Sequence, residues 1–165
     1  GICLVKIQGM CRTARRSILD MKIDIEKIQK YLLEIKARHR EIEELLLKSS
    51  DAQILKEPWL LKGLKYTLIE IAEAMANTLQ HILAKDMGEP VVGYVETIIR
   101  SGETNILPDS LSKKIKPFFD FRNSLIHRYW FISDEKLVSL VRENKTDFIS
   151  FIEAIENYIK NRSPL

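Results

Sequence analysis

Residues 57–88 read EPWLLKGLKYTLIEIAEAMANTLQHILAKDMG, with apolar side chains recurring at Leu61, Leu64, Leu68, Ile71, Met75, Leu79 and Ile82. Steps of three and four keep those positions on one side of an α-helix, whereas a half-buried strand needs a step of two. Pro58 stands at the start, where its missing N–H leaves nothing unsatisfied, and Gly88 marks the stop. The stretch is therefore one long helix with a continuous seam, and a helix of that kind needs other helices to cover it.

The flanking sequence supplies them. Upstream, Ile18, Met21, Ile25, Ile28, Leu32, Ile35, His39, Ile42 and Leu46 repeat the same spacing up to a turn at Ser49-Ser50-Asp51. Downstream, a shorter helix is expected from Pro90 to Arg100, ending at Gly102, and another from Pro108 onward. Pro117 lies inside the latter and is expected to kink or split it, because proline removes a backbone donor and crowds the preceding turn. Ser133-Asp134 reads as the cap of a last helix with a seam of Val138, Val141, Phe148, Ile152, Ile155 and Ile159. No stretch alternates like a strand. The fold class is all-α, an antiparallel bundle of about four to five helices.

Composition bounds the rest. A chain of 165 residues can bury one core but not two, and 45% hydrophobic with 30% charged residues is the balance of a globular protein. Charged residues interrupt every apolar run before it reaches the roughly 20 residues of a membrane-spanning helix. The two cysteines, Cys3 and Cys11, sit in the first eleven residues, which argues against a disulfide framework and fits a reducing, cytoplasmic setting. Residues 1–20 read as an N-terminal extension and not as a targeting signal, since the arginine cluster follows the short apolar patch. The helical domain is expected to span 21–162. A net charge of +3 permits contact with nucleic acid without demanding it. There is no glycine-rich phosphate loop, no Cys/His metal cluster and no nucleophile elbow.

One stretch carries chemistry. From Phe118 to Phe131 the sequence is FFDFRNSLIHRYWF, which threads Arg122, His127 and Tyr129 through what otherwise reads as core. At about 100° per residue, Phe118, Phe121, Arg122, Leu125 and Tyr129 share a stripe, with Asp120, Asn123, Ser124 and His127 roughly opposite. A guanidinium in an apolar face needs an acceptor. His127 lies about 140° around the helix from Arg122. Action on one substrate thus requires a kink at Pro117, a distortion at the helix end, or a second copy of the helix across a two-fold axis.

The segment RNSLIHRY resembles the R-X4-H-X-Y motif of HepT-like toxins of the HEPN superfamily. EAMANTLQHI, from Glu73 to Ile82, is similar to that family's Glu-Ala-x-x-Asp-x-x-x-His-Ile pattern, with Asn77 where aspartate is usual. The resemblance covers roughly Met21 to Lys160. It implies a homodimeric, metal-independent endoribonuclease without a cofactor, encoded beside an MntA-like minimal nucleotidyltransferase antitoxin. It implies Arg122 and His127 as the catalytic pair in a cleft built by both protomers, with RNA as substrate. Tyr129 is the position such a partner would AMPylate, adding charge and bulk to a phosphate-binding site. Asn123 and Glu73 are supporting candidates. Asn123 either orients His127 or the phosphate or is a plain helix-face residue, and Glu73 either pairs with Arg122 across the bundle or is an exposed helix glutamate. His39 and His81 read as core-edge residues. The alternative reading of the whole chain is a non-catalytic HEPN module that binds a nucleotidyltransferase or a nucleotide.

Overall fold

The computed structural model of the chain describes residues 22–127 and 132–162, apart from the side chains of Ile126 and His127. Among them six helices follow one another: α1 (Ile25–Lys48), α2 (Asp51–Lys56), α3 (Pro58–Asp86), α4 (Tyr94–Glu103), α5 (Asp109–His127) and α6 (Asp134–Lys160). The expected seam positions Ile18 and Met21, the modification candidate Tyr129 and the two cysteines lie outside the described residues.

The long helix read first is the axle of the bundle. α3 packs on α1, α2, α4 and α5, and Leu64, Leu68, Ile71, Met75, Leu79 and Ile82 are all buried. α6 closes the core with Val138, Val141, Phe148, Phe151, Ile152 and Ile155. Phe118 of α5 meets Phe148 of α6 with ring centroids 4.8 Å apart, tying the two helices through their largest side chains. Each buried aromatic of this size contributes about 1.5–3 kcal/mol.

Several expectations change in detail. Ile25 is 42% exposed and so lies off the seam, whose buried positions begin at Ile28. The turn at Ser49-Ser50 starts an additional short helix, α2. Ser50 accepts from Gln53 N–H at 3.2 Å, and the Gln53 side chain accepts from Ser50 N–H at 2.8 Å, a reciprocal cap that makes even six residues worth ordering. The helix expected from Pro90, α4, begins instead at Tyr94, because Val91, Val92 and Gly93 follow the proline and Gly93 takes the extended cap conformation. Residues between α3 and α4 instead form a loop that Glu89 ties to Arg100 through two 2.6 Å hydrogen bonds.

Pro117 does not split its helix: α5 runs through it from Asp109 to His127. The burial pattern of α5 is wider than the stripe read from the sequence. Phe118, Phe119, Phe121 and Ser124 are all buried, so Ser124 faces protein and donates at 2.7 Å to the Phe121 carbonyl. A helix covered on most of its circumference is held by its neighbours, which offsets the hydrogen bond proline removes. Ser133 caps α6 as expected, accepting from Lys136 N–H at 3.2 Å.

Candidate functional site

Arg122 enters the interior between α3 and α4. Its side chain is 17% exposed and meets two groups that the fold brings from far along the chain. Glu73 of α3 accepts from Nη2 at 3.4 Å, a long contact that makes the pair a loose one. The guanidinium stands over the ring of Tyr94, the first residue of α4, with Cζ 3.8 Å from the ring centroid. Stacking of this kind on a partly desolvated arginine contributes on the order of 1–2 kcal/mol and fixes the plane of the group. Nε is buried without a hydrogen-bond partner. The guanidinium is thus held by a ring face and one carboxylate oxygen, with donors still unengaged.

Tyr94 was not legible as a site residue, since nothing but proximity in the folded bundle links it to position 122. Burial pushes its phenol above the ordinary value, and Glu73 pushes the same way while Arg122 opposes. The ring therefore stays neutral under any physiological condition.

Of the other candidates, Glu73 does make the cross-bundle pair with Arg122, one of its two readings. Asn123 is half-buried on α5. Position 127 is the last residue of α5, five residues beyond Arg122; its side chain lies outside the described set, as does Tyr129. Asn77 is exposed on α3 one turn beyond Glu73. The ion pairs continue across the face of α3: Arg38 of α1 places Nε 3.7 Å from Glu70 and Nη1 2.8 Å from Glu41. Burial raises the Glu70 carboxyl above its ordinary value, against the pull of Arg38.

The two remaining histidines are both half-buried away from Arg122. His81 accepts from Asp24 N–H at 2.9 Å and caps the start of α1. His39 packs edge-on to Phe148 and stands 3.4 Å from Glu43. Burial lowers both below the ordinary imidazole value. Among the described residues no group of three or more His, Cys, Asp or Glu side chains is placed to hold a metal ion, and no helix is long and apolar enough to cross a membrane.

Known proteins resemble this chain in sequence and in fold. An Archaeoglobus fulgidus protein carrying the description "Putative RNase" is 28% identical over 110 residues, 67% of this chain and 83% of that protein. The tri-AMPylated HEPN toxin of Shewanella oneidensis, solved in complex with an MNT antitoxin, superposes with a TM-score of 0.72 at 21% identity, over 79% of this chain and 97% of that one. The cytosolic Bacillus subtilis protein YutE, of unknown function, superposes at 0.69 with 15% identity, covering 87% and 96%. At such identities the two structures speak for the fold alone. The profile of the family described as Ribonuclease HepT-like matches residues 21–155. The chain belongs to the Ribonuclease HepT-like family.

Proposed function

We propose that the protein is the toxin of a toxin–antitoxin pair and acts as a metal-independent endoribonuclease in the cytoplasm. The observation that carries this reading is the preorganised arginine: Arg122, stacked on Tyr94 and loosely held by Glu73, keeps donors free on the helix that ends at His127. A phosphodiester is a ligand suited to such a guanidinium. The 2′-hydroxyl of RNA attacks the adjacent phosphorus and the 5′-oxygen of the next nucleotide leaves, giving a 2′,3′-cyclic phosphate and a free 5′-hydroxyl. His127 takes the proton of the 2′-hydroxyl and, in its protonated form, delivers one to the leaving oxygen, while Arg122 stabilises the charge that builds on the phosphorane oxygens. A homodimer that brings two copies of α5 together supplies two histidines to one cleft, so that one acts as base while the other acts as acid. Asn123 orients His127 or the phosphate.

A partner nucleotidyltransferase of the MntA kind neutralises the toxin by AMPylating Tyr129. The phenol oxygen attacks the α-phosphorus of ATP and pyrophosphate leaves. The adenylate then occupies the place of the substrate phosphate with charge of the same sign. Support comes from the Shewanella toxin, which is described as tri-AMPylated and in complex with its antitoxin.

The test is cleavage of RNA in EDTA by the wild-type protein and by His127→Ala and Arg122→Ala. Cutting by the wild type with a loss of about 100-fold or more in each variant is expected. Equal cutting by all three refutes the catalytic assignment. If none cuts and a nucleotidyltransferase is still bound, the protein is the non-catalytic module instead.

A further inference from the structure

α3 carries a surface that the catalytic reading leaves unused. Its first half places two large aromatic rings in solvent, Trp59 at 77% and Tyr66 at 64% exposure. Lys62 is exposed between them and holds Nζ 5.1 Å from the centre of the Trp59 ring. At about 100° per residue, Trp59, Lys62, Tyr66 and Glu73 fall within roughly 60° of one another. One stripe therefore runs from the start of α3 to the carboxylate that holds Arg122.

Two cross-bundle ion pairs fix what lies beside that stripe. Glu73 pairs with Arg122, and Lys65 pairs with Asp134 at 2.9 Å. As the numbering falls along α3 from 73 to 65, it rises on the other side from 122 to 134. α5 thus runs antiparallel to α3 and carries position 127 back toward Tyr66 and Lys62. The aromatic stripe leads into the candidate site from one side.

Two exposed rings with a lysine between them, leading into the candidate site, suit a single-stranded nucleic acid. The exposed large hydrophobics of α3 are both aromatic, so each offers a flat face on which a base can stack. Flat rings with a lysine between them match bases that stack and a phosphate that needs a counter-charge. The carboxylates on the stripe are partnered, Glu70 by Arg38, which also holds Glu41, and Glu73 by Arg122, and Lys62 is the charge that stands between the two rings. Seven residues at about 1.5 Å each separate Trp59 from Tyr66, and Tyr66 from Glu73. Each interval is about three times the 3.4 Å rise of a stacked strand, which an unstacked strand crosses with fewer, splayed nucleotides.

We propose that this stripe is a strand-binding track, on which Trp59 and Tyr66 stack two bases of single-stranded RNA beside the scissile bond and Lys62 meets the phosphate between them. The inference rests on the ribonuclease reading above and assigns its substrate grip. The experiment uses uncleavable 2′-O-methyl RNA strands of three and ten nucleotides. The longer strand quenches tryptophan fluorescence of the wild type, and Trp59→Phe removes that component. Trp59→Ala and Tyr66→Ala each weaken binding of the ten-nucleotide strand about 10-fold or more and raise KM for unmodified RNA of the same length to match, while kcat on that RNA and the affinity for three nucleotides hold. Tyr66→Phe retains wild-type affinity, and Lys62→Ala lowers the salt slope of binding by about one. The track is refuted if the alanine variants bind the long strand as wild type does. It is also refuted if they alter the mass in light scattering, or lose a nucleotidyltransferase, while RNA binding is unchanged. Failure of the wild type to bind any RNA refutes the ribonuclease reading along with it; RNA binding that needs Arg122 but neither ring refutes the track alone.

Discussion

Arg122 shows how a single residue can be anticipated in need and missed in solution. An arginine inside an apolar face had to find an acceptor, and Glu73 is that acceptor at 3.4 Å. The larger contact, the Tyr94 ring, was invisible because it depends on where α4 starts and not on any pattern near position 122. The two partners separate by experiment. Tyr94→Phe keeps the stacking face, so RNA cleavage is expected to stay within about 2-fold of wild type. Tyr94→Leu frees the guanidinium and is expected to lower kcat about 10-fold with a smaller change in KM, as loss of about 1 kcal/mol or more of positioning implies. His39 gives a prediction in pH. Its folded-state value lies below the ordinary imidazole value because burial, helped by Lys145 and opposed by Glu43, disfavours the cation. The stability this contributes is fully present above the unfolded value of about 6.5 and is lost as pH falls through the lowered folded value. Thermal melts of wild type and His39→Gln between pH 7.5 and 5 are expected to show a steeper acid-side fall in the wild type.

At the scale of the element, seams were legible and junctions were not. The seams of α3 and α6 could be read because burial on one side of a helix imposes a period that no other structure shares. The start of α4, the existence of α2 and the continuity of α5 through Pro117 could not. Each depends on a local balance of caps and covering neighbours that the period does not record. The packing of α4 on α5 is one such case. A Cβ on Gly102 would stand 2.6 Å from Ser112 Oγ and 3.0 Å from Ser112 Cβ, so the two helices approach as closely as they do because position 102 has no side chain. Gly102→Ala is expected to destabilise the protein by about 1–3 kcal/mol despite the better helix propensity of alanine, and Ser112→Ala in the same chain to recover part of it. Denaturant melts of the wild type and the two variants would measure both. At the reversal that follows, Asn105 holds φ at 60°, a conformation asparagine tolerates and branched residues do not.

For the whole molecule, the fold was readable as an all-α bundle because its helices are long and its seams continuous. The site was only half readable, since a motif on one helix says nothing of what stands opposite. The end of α6 is fastened to the end of α3 by a cluster the seams also did not announce. Arg162 Nε donates to Asp86 Oδ2 at 2.6 Å, and the Tyr158 hydroxyl donates to the same oxygen at 2.9 Å. Burial and that hydrogen bond push the Tyr158 phenol up to about 12. Asp86→Ala leaves a half-buried guanidinium and a hydroxyl without their acceptor, and a loss of about 1–3 kcal/mol is expected in thermal or denaturant unfolding. Dimerisation is checked at the same scale. Light scattering at micromolar concentration is expected to return twice the chain mass, and a monomer there would remove the shared cleft from the proposed mechanism.

The close approach at Gly102 also bears on the site. α4 carries the Tyr94 ring at one end and Gly102 at the other, so a side chain at position 102 that pushes α4 off Ser112 also disturbs the seat of the Arg122 guanidinium, through a helix that carries no residue of the motif.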